Sequence, residues 1–422
     1  MQEKDIYKKS RELHILDAAF EYFITILVSG AYLAKITSAI GISDSLTGIL
    51  SAFVSLGCGF QIIAVFLANK QPVKRWLTPL YCLTHTCFGI LCFIPLLSIS
   101  RTGKTVLFGA FLLIGNIISR VLSSPKANWS MSLVDDDKRG SYTASKEMVS
   151  LIGGMLFTFL MGAVIDRYEE MENLRGALIV CGVSIFVLTA LHGLMLMLSL
   201  EKTDIERRKT SASEMIRELI TDKNLFKVIV ISVLWNIANY SSTPFYGSYQ
   251  IKELGFTMTF VSILSASYAI LRTLVSKPIG KFADKRSFAS MLNICFSVML
   301  IGFTVNIFTV PENGKILYTV YYMLSAIAMA GINSSTVNLI YDYVDKEKRI
   351  GALALQGTLS GLAGFFTTLL LTPLVDRIQN NGNRLFGIHV YAQQILSAIA
   401  AVIVAILILY LNLVVKRIKR EK

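Results

Sequence analysis

KRGSYTASKEMVSLIGGMLFTFLMGAVIDR, running from Lys138 to Arg167, places 26 residues between Arg139 and Asp166. KRIGALALQGTLSGLAGFFTTLLLTPLVDR, from Lys348 to Arg377, repeats that bracket 210 residues later, and Asp137-Lys138-Arg139 returns as Glu347-Lys348-Arg349. A helix crossing a bilayer needs about 20 largely apolar residues. Each bracket therefore reads as one spanning helix, basic at one end and closed by Asp-Arg at the other. Recurrence at half the chain length predicts two parallel halves. The copies are unequal: Gly140 faces Ile350, Lys146 faces Gln356, and Glu147 faces Gly357.

The rest of the chain agrees. Of 422 residues, 54% are apolar and 16% charged, and the mean hydropathy is +0.58. Soluble domains carry about 25% charge. Too little polar surface remains for a large soluble helical protein. Apolar runs of spanning length are expected at roughly 15–38, 46–68, 77–99, 106–133, 142–165, 175–200, 226–249, 257–279, 287–310, 316–343, 351–375 and 389–414. This predicts an all-α membrane protein of twelve spans: a bundle over 1–200, a central loop over 201–224, and a second bundle over 225–422. The amino-terminal MQEKDIYKKSRELH is polar and basic and does not read as a cleaved signal.

Charge sets the expected orientation. The termini and even-numbered connections hold 28 Lys and Arg, and the odd-numbered connections hold eight. By the positive-inside rule both termini are cytoplasmic, in the inner (cytoplasmic) membrane. The net charge of +13 then faces an anionic inner leaflet, and nucleic acid need not be invoked. Six cysteines, all in apolar runs, read as small packing residues. Four scattered histidines make no metal site. No GxxxxGK[ST] loop is present, so no nucleotide cofactor is expected.

With these spans in place, the chain resembles the major facilitator superfamily. Four features carry the resemblance: twelve spans around a long central loop, GKFADKRSFA (Gly280 to Ala289) between spans 8 and 9, KRGSY (Lys138 to Tyr142) after span 4, and Arg120 within span 4. It implies a gate formed by Gly280, Asp284, Lys285 and Arg286 together with Arg139. It also implies that spans 1, 4, 7 and 10 line a central cavity. The loop between spans 2 and 3, ANKQPVKRW, departs from the pattern: Asn69 stands in the glycine place and Val73 in the aspartate place. Span 5 lacks the proline-containing pattern of many drug–proton exchangers.

Charges inside spans are functional candidates because their burial is costly. At a rise of ~1.5 Å per residue, Glu21 lies ~9 Å inside span 1 and Lys126 ~10 Å inside span 4, close enough in depth to pair. Asp17 lies one turn before Glu21 on the same face, as a second coupling candidate or a helix-start charge facing water. Arg120 lies ~20 Å from either side, with no carboxylate expected at its depth, and is assigned to an anionic or zwitterionic substrate. His85 and His192 read as packed, hydrogen-bonded residues. In span 7, Asn236, Asn239 and Tyr240 lie at mid-depth, with Pro244 and Gly247 weakening the later half. Asn333 in span 10 and Trp129 in span 4 complete the expected substrate surface.

Together these predict a monomeric secondary transporter, not an enzyme, moving a small organic solute by alternating access, with the proton gradient as its energy source. Two alternatives remain open at this level: a proton-driven efflux antiporter, and a non-transporting sensor or lipid translocator on the same scaffold.

Overall fold

A computed structural model of the chain describes residues 6–67, 72–135, 139–202, 212–341 and 349–417. The first part contains α1 (Lys8–Leu27), α2 (Gly30–Ile40), α3 (Asp44–Ser51), α4 (Phe53–Gly59), α5 (Ile63–Leu67), α6 (Val73–Leu91), α7 (Arg101–Ser132), α8 (Arg139–Glu170) and α9 (Leu174–Leu198). After it come α10 (Ala212–Thr221), α11 (Lys223–Ser242), α12 (Tyr246–Ser248), α13 (Met258–Lys285), α14 (Phe288–Ile307), α15 (Gly314–Tyr341), α16 (Arg349–Asn380) and α17 (Ala392–Leu413). A two-residue hairpin, Arg384–Leu385 against Ile388–His389, joins the last two.

Among the described residues, nine helices are long and apolar enough to cross a bilayer, and ten if α1 and α2, bent by 43°, form one span. Two expected spans fall short of that measure. The second is divided into α3, α4 and α5. The third, α6, has 19 residues but carries Lys74, Arg75, His85 and three threonines. The break between α1 and α2 falls at Val28–Ser29, and Gly30 takes a φ of +52° that favours glycine. The weakening expected in the seventh span is also present. α11 stops at Ser242, a tight turn follows at Thr243–Phe245, and Tyr249–Glu253 is a π-helical turn. The two breaks meet: a Cβ on Gly247 would lie 2.3 Å from the Gly30 carbonyl oxygen, so only a residue without a side chain fits there.

Within the first half of the sequence α1 packs on α8 and α9, and α6 on α7 and α9. Within the second, α11 packs on α16 and α17, and α14 on α15 and α17. The bracketed helices cross between halves, α8 against α13 and α16 against α4. Glycines permit this closeness. A Cβ on Gly361 would lie 2.6 Å from Ser55 O, and one on Gly162 would lie 3.0 Å from Met258 O.

The aspartate ending each bracket reaches the other half. Asp166 accepts the backbone N–H groups of Met258 (2.9 Å) and Thr259 (2.7 Å) at the start of α13, where unpaired amides and the helix dipole favour a carboxylate. Asp376 accepts from the Ser45 hydroxyl near the start of α3. Lys252 pairs with Asp44 beside it, and Gln379 donates to Asp44 (3.2 Å) and Glu253 (3.4 Å). At the opposite end Arg272 lies 3.8 Å from Glu147.

Candidate functional site

The charged site is built on one stripe of α1. Ser10, His14, Asp17 and Glu21 follow a 4-3-4 spacing, which stacks them on one helix face. Ser10 accepts the Leu200 N–H at 2.9 Å, anchoring the stripe to the end of α9. Lys126 of α7 bridges the next two acids: its Nζ lies 2.8 Å from Asp17 Oδ2 and 2.6 Å from Glu21 Oε2. The same ammonium stands 4.6 Å from the centroid of the Tyr81 ring on α6, a cation–π position. Asp17, only 1% exposed, also receives His192 Nδ1 of α9 at 2.7 Å. His14 Nδ1 is 3.8 Å from Asp17 Oδ2. Four helices thus converge on this one cluster.

Aromatic rings seal the cluster. His85 of α6 meets His192 edge-on at 4.5 Å, and Trp129 meets His14 edge-on at 4.7 Å. The contacting charges sum to −1 when the histidines are neutral: two carboxylates against one ammonium. Half-buried Lys146 of α8 faces the same group at longer range, without an ion pair to either acid. A buried unbalanced charge is costly, and a single proton removes the imbalance among the contacting groups.

The expected Glu21–Lys126 pair is present. Asp17 is buried at its centre, so the water-facing alternative for it does not hold. His14 and Tyr81 were not among the expected residues. The 4-3-4 polar spacing was the available signal for His14; nothing in the sequence around Tyr81 pointed to the cluster.

Arg120 lies six residues before Lys126 and points elsewhere. It lines a cavity of about 190 Å³ with Asn116 and Ser119 of α7, Thr25 and Ser29 at the α1–α2 break, and Ser51 of α3. Among the described residues no carboxylate pairs with it. Gly57 makes room for its stem: a Cβ there would lie 3.1 Å from Arg120 Cγ and 2.8 Å from Asn116 O. The cavity offers one cation, an amide and several hydroxyls.

The remaining expected substrate residues are dispersed. Tyr240 packs on Gly364, where a Cβ would stand 2.8 Å from its ring, and it lies within electrostatic reach of Arg120. Asn236 donates to Ser232 O (3.0 Å) and Asn239 accepts from Thr243 (2.9 Å), both within their own segment. Asn333 is exposed. Trp129, 2% exposed, donates its indole N–H to Leu200 O at 3.0 Å and packs behind the charged cluster. None of these five lines the Arg120 cavity. Of the expected gate, Gly280 has open space around it, and Lys285 and Arg286 are exposed. The side chains of Arg139 and Asp284, and residue Asn69, lie outside what the structure describes.

A multi-pass helical membrane protein with a buried ion cluster beside a cavity that holds a lone cation is the architecture of a transporter. The chain belongs to the Major Facilitator Superfamily, whose family model matches residues 18–368. Solved structures agree in fold. A point mutant of the nucleoside transporter NupG is 13% identical at a TM-score of 0.74, covering 96% of this chain and 99% of that one. An auto-inhibited POT family peptide transporter is 12% identical at 0.73, covering 97% of each chain. The xylose transporter XylE from E. coli, in an inward open conformation, is 15% identical at 0.67, covering 94% of each chain. No curated protein sequence matches this chain.

Proposed function

We propose that this chain is a proton-coupled secondary transporter for a small anionic or zwitterionic organic solute. Twelve spans in two six-helix halves, 1–200 and 225–422 joined by the 201–224 loop, rock about the α8–α13 and α4–α16 contacts. Both termini face the cytoplasm, which puts Asp166 and Asp376 outside. With the halves tied together at the Asp166 end by the Asp44, Asp166 and Asp376 contacts, the Arg120 cavity is served from the cytoplasmic side.

The observation that carries the reading is Arg120, a cation without a carboxylate partner among the described residues, in a cavity of about 190 Å³ where hydroxyls and an amide stand among apolar side chains such as Leu33, Leu50 and Phe88. A guanidinium offers a planar fork matched to a carboxylate or phosphate. Coupling rests on the neighbouring cluster. Lys126 holds Asp17 and Glu21 together, and a proton on Glu21 releases that carboxylate from the ammonium. A proton bound there and a substrate anion at Arg120 share α1 and α7, so each can bias the same rocking step. Symport is favoured by the cationic cavity. The protein acts as a monomer in the inner membrane, without a bound cofactor. Purified chain screened by thermal shift against organic acids, amino acids, peptides, nucleosides, sugars and cationic drugs should respond to anionic or zwitterionic compounds. Flux in proteoliposomes should then rise with an inward pH gradient. A response confined to cationic drugs would overturn the assignment.

A further inference from the structure

A second cavity, of about 240 Å³, lies where α13 and α14 diverge. Ile279 and Phe282 of α13 form one wall, Ile294, Cys295 and Val298 of α14 the other, and Ile327 of α15 the floor. α15 packs along both helices and closes the slot from behind, so its opening lies on the side where Phe282 and Ile294 are exposed. Phe282 and Ile294 at its rim are 36% and 45% exposed. Among the described residues no charged, amide or hydroxyl side chain lines it, so it does not suit a hydrophilic ligand.

Its mouth carries the opposite chemistry. Lys281 and Lys285 follow Pro278 and Phe282 by three residues each, the spacing that stacks side chains on one helix face. Arg286 follows at the helix end. All three are exposed, and among the described residues no carboxylate pairs with them. From Pro278 to Lys285 the helix rises about 10 Å. Each lysine stands about 5 Å along the axis beyond the wall residue it stacks on, comparable with the step of roughly 5–8 Å across one headgroup layer. A hydrocarbon slot thus ends below two exposed ammonium groups that pair with no carboxylate among the described residues.

We propose that this groove binds one anionic phospholipid of the cytoplasmic leaflet, with an acyl chain between α13 and α14 and the headgroup held by Lys281 and Lys285. A zwitterionic headgroup brings a cation of its own to a lip that already carries three, which selects against it. The leaflet rests on the orientation proposed above; the site rests on the cavity and its cations alone.

The test is native mass spectrometry of the purified chain titrated with phosphatidylglycerol or phosphatidylcholine of matched chains. Each basic residue near a membrane surface contributes roughly fivefold in affinity for anionic lipid. Lys281→Gln/Lys285→Gln should therefore weaken the tightest phosphatidylglycerol site by about 25-fold and leave phosphatidylcholine unchanged. Ile294→Trp, at the exposed rim, should fill the slot and weaken both lipids. Lys8→Gln/Lys9→Gln, which removes two exposed charges elsewhere, should change neither. Unaltered phosphatidylglycerol binding in Lys281→Gln/Lys285→Gln, an equal loss in Lys8→Gln/Lys9→Gln, or indifference to Ile294→Trp would each overturn the proposal. Lipid retention needs no substrate flux, so a failed transport assignment leaves this readout intact.

Discussion

Replacing Lys126 by methionine should be the most destabilising change in the charged cluster. The side chain lengths are similar, so the loss is electrostatic rather than a cavity. Asp17, 1% exposed, would keep only His192 at 2.7 Å as a close donor. Removing one partner of a buried ion pair costs about 3–5 kcal/mol, because the other charge stays desolvated. Glu21 is 28% exposed, so its share is nearer the 0–1 kcal/mol of a surface pair, roughly. The expected loss is thus about 3–5 kcal/mol in total, mostly from Asp17. At about 2–4 °C per kcal/mol for a unit of 150–250 residues, the midpoint should fall by roughly 6–20 °C. Thermal melting in detergent, followed by tryptophan fluorescence, measures this, and Trp129 stands against His14 in the cluster itself. Asp17→Asn/Glu21→Gln/Lys126→Met leaves no charge and should recover most of the loss. A Lys126→Met midpoint equal to the parent's, or a triple variant as unstable as the single, would refute the argument that Lys126 neutralises a buried carboxylate.

Three further outcomes are expected. Arg120→Ala should abolish uptake into proteoliposomes with an unchanged melting midpoint, because no ion pair is lost; full uptake would remove its assignment as the substrate cation. Glu21→Gln should retain ligand-induced thermal shift while making flux insensitive to the pH gradient, and an unchanged proton-driven signal would move coupling elsewhere. Asp166→Ala strips the acceptor from Met258 and Thr259 at the start of α13 and should cost about 1–2 kcal/mol, as loss of a helix cap does. Asp166→Asn, which keeps one carbonyl acceptor, should cost less, and identical midpoints for the two variants would deny the capping role.

Membrane class was legible because hydrocarbon imposes it residue by residue: a long apolar run has few other places to go. The 210-residue displacement of the bracket was equally legible, since both copies keep their charges at the helix ends. The depth argument paired Glu21 with Lys126 correctly, because rise per residue converts position into height. It also found no carboxylate at the depth of Arg120, and among the described residues none pairs with it. Height alone does not give azimuth. Trp129 was expected on the substrate surface, yet the tilt and packing of α7 turn it toward His14 and Leu200. Asn236 and Asn239 were expected to reach a ligand, but hydrogen-bond partners were available within their own segment.

What the sequence determined by itself is the solvent each segment prefers and the recurrence of the Lys138–Arg167 bracket 210 residues on. Tertiary structure alone decided that Asp17 is shared by Lys126 and His192, which lie 109 and 175 residues away. It also decided that the bracket's Asp166 ends at the amides of a helix 92 residues further on. Those contacts depend on which helix faces meet, and a meeting of faces depends on both partners' rotation and tilt. Just after the α1–α2 break, Gly30 opens α2 where Gly247 comes against it, a fit that neither glycine specifies without the other.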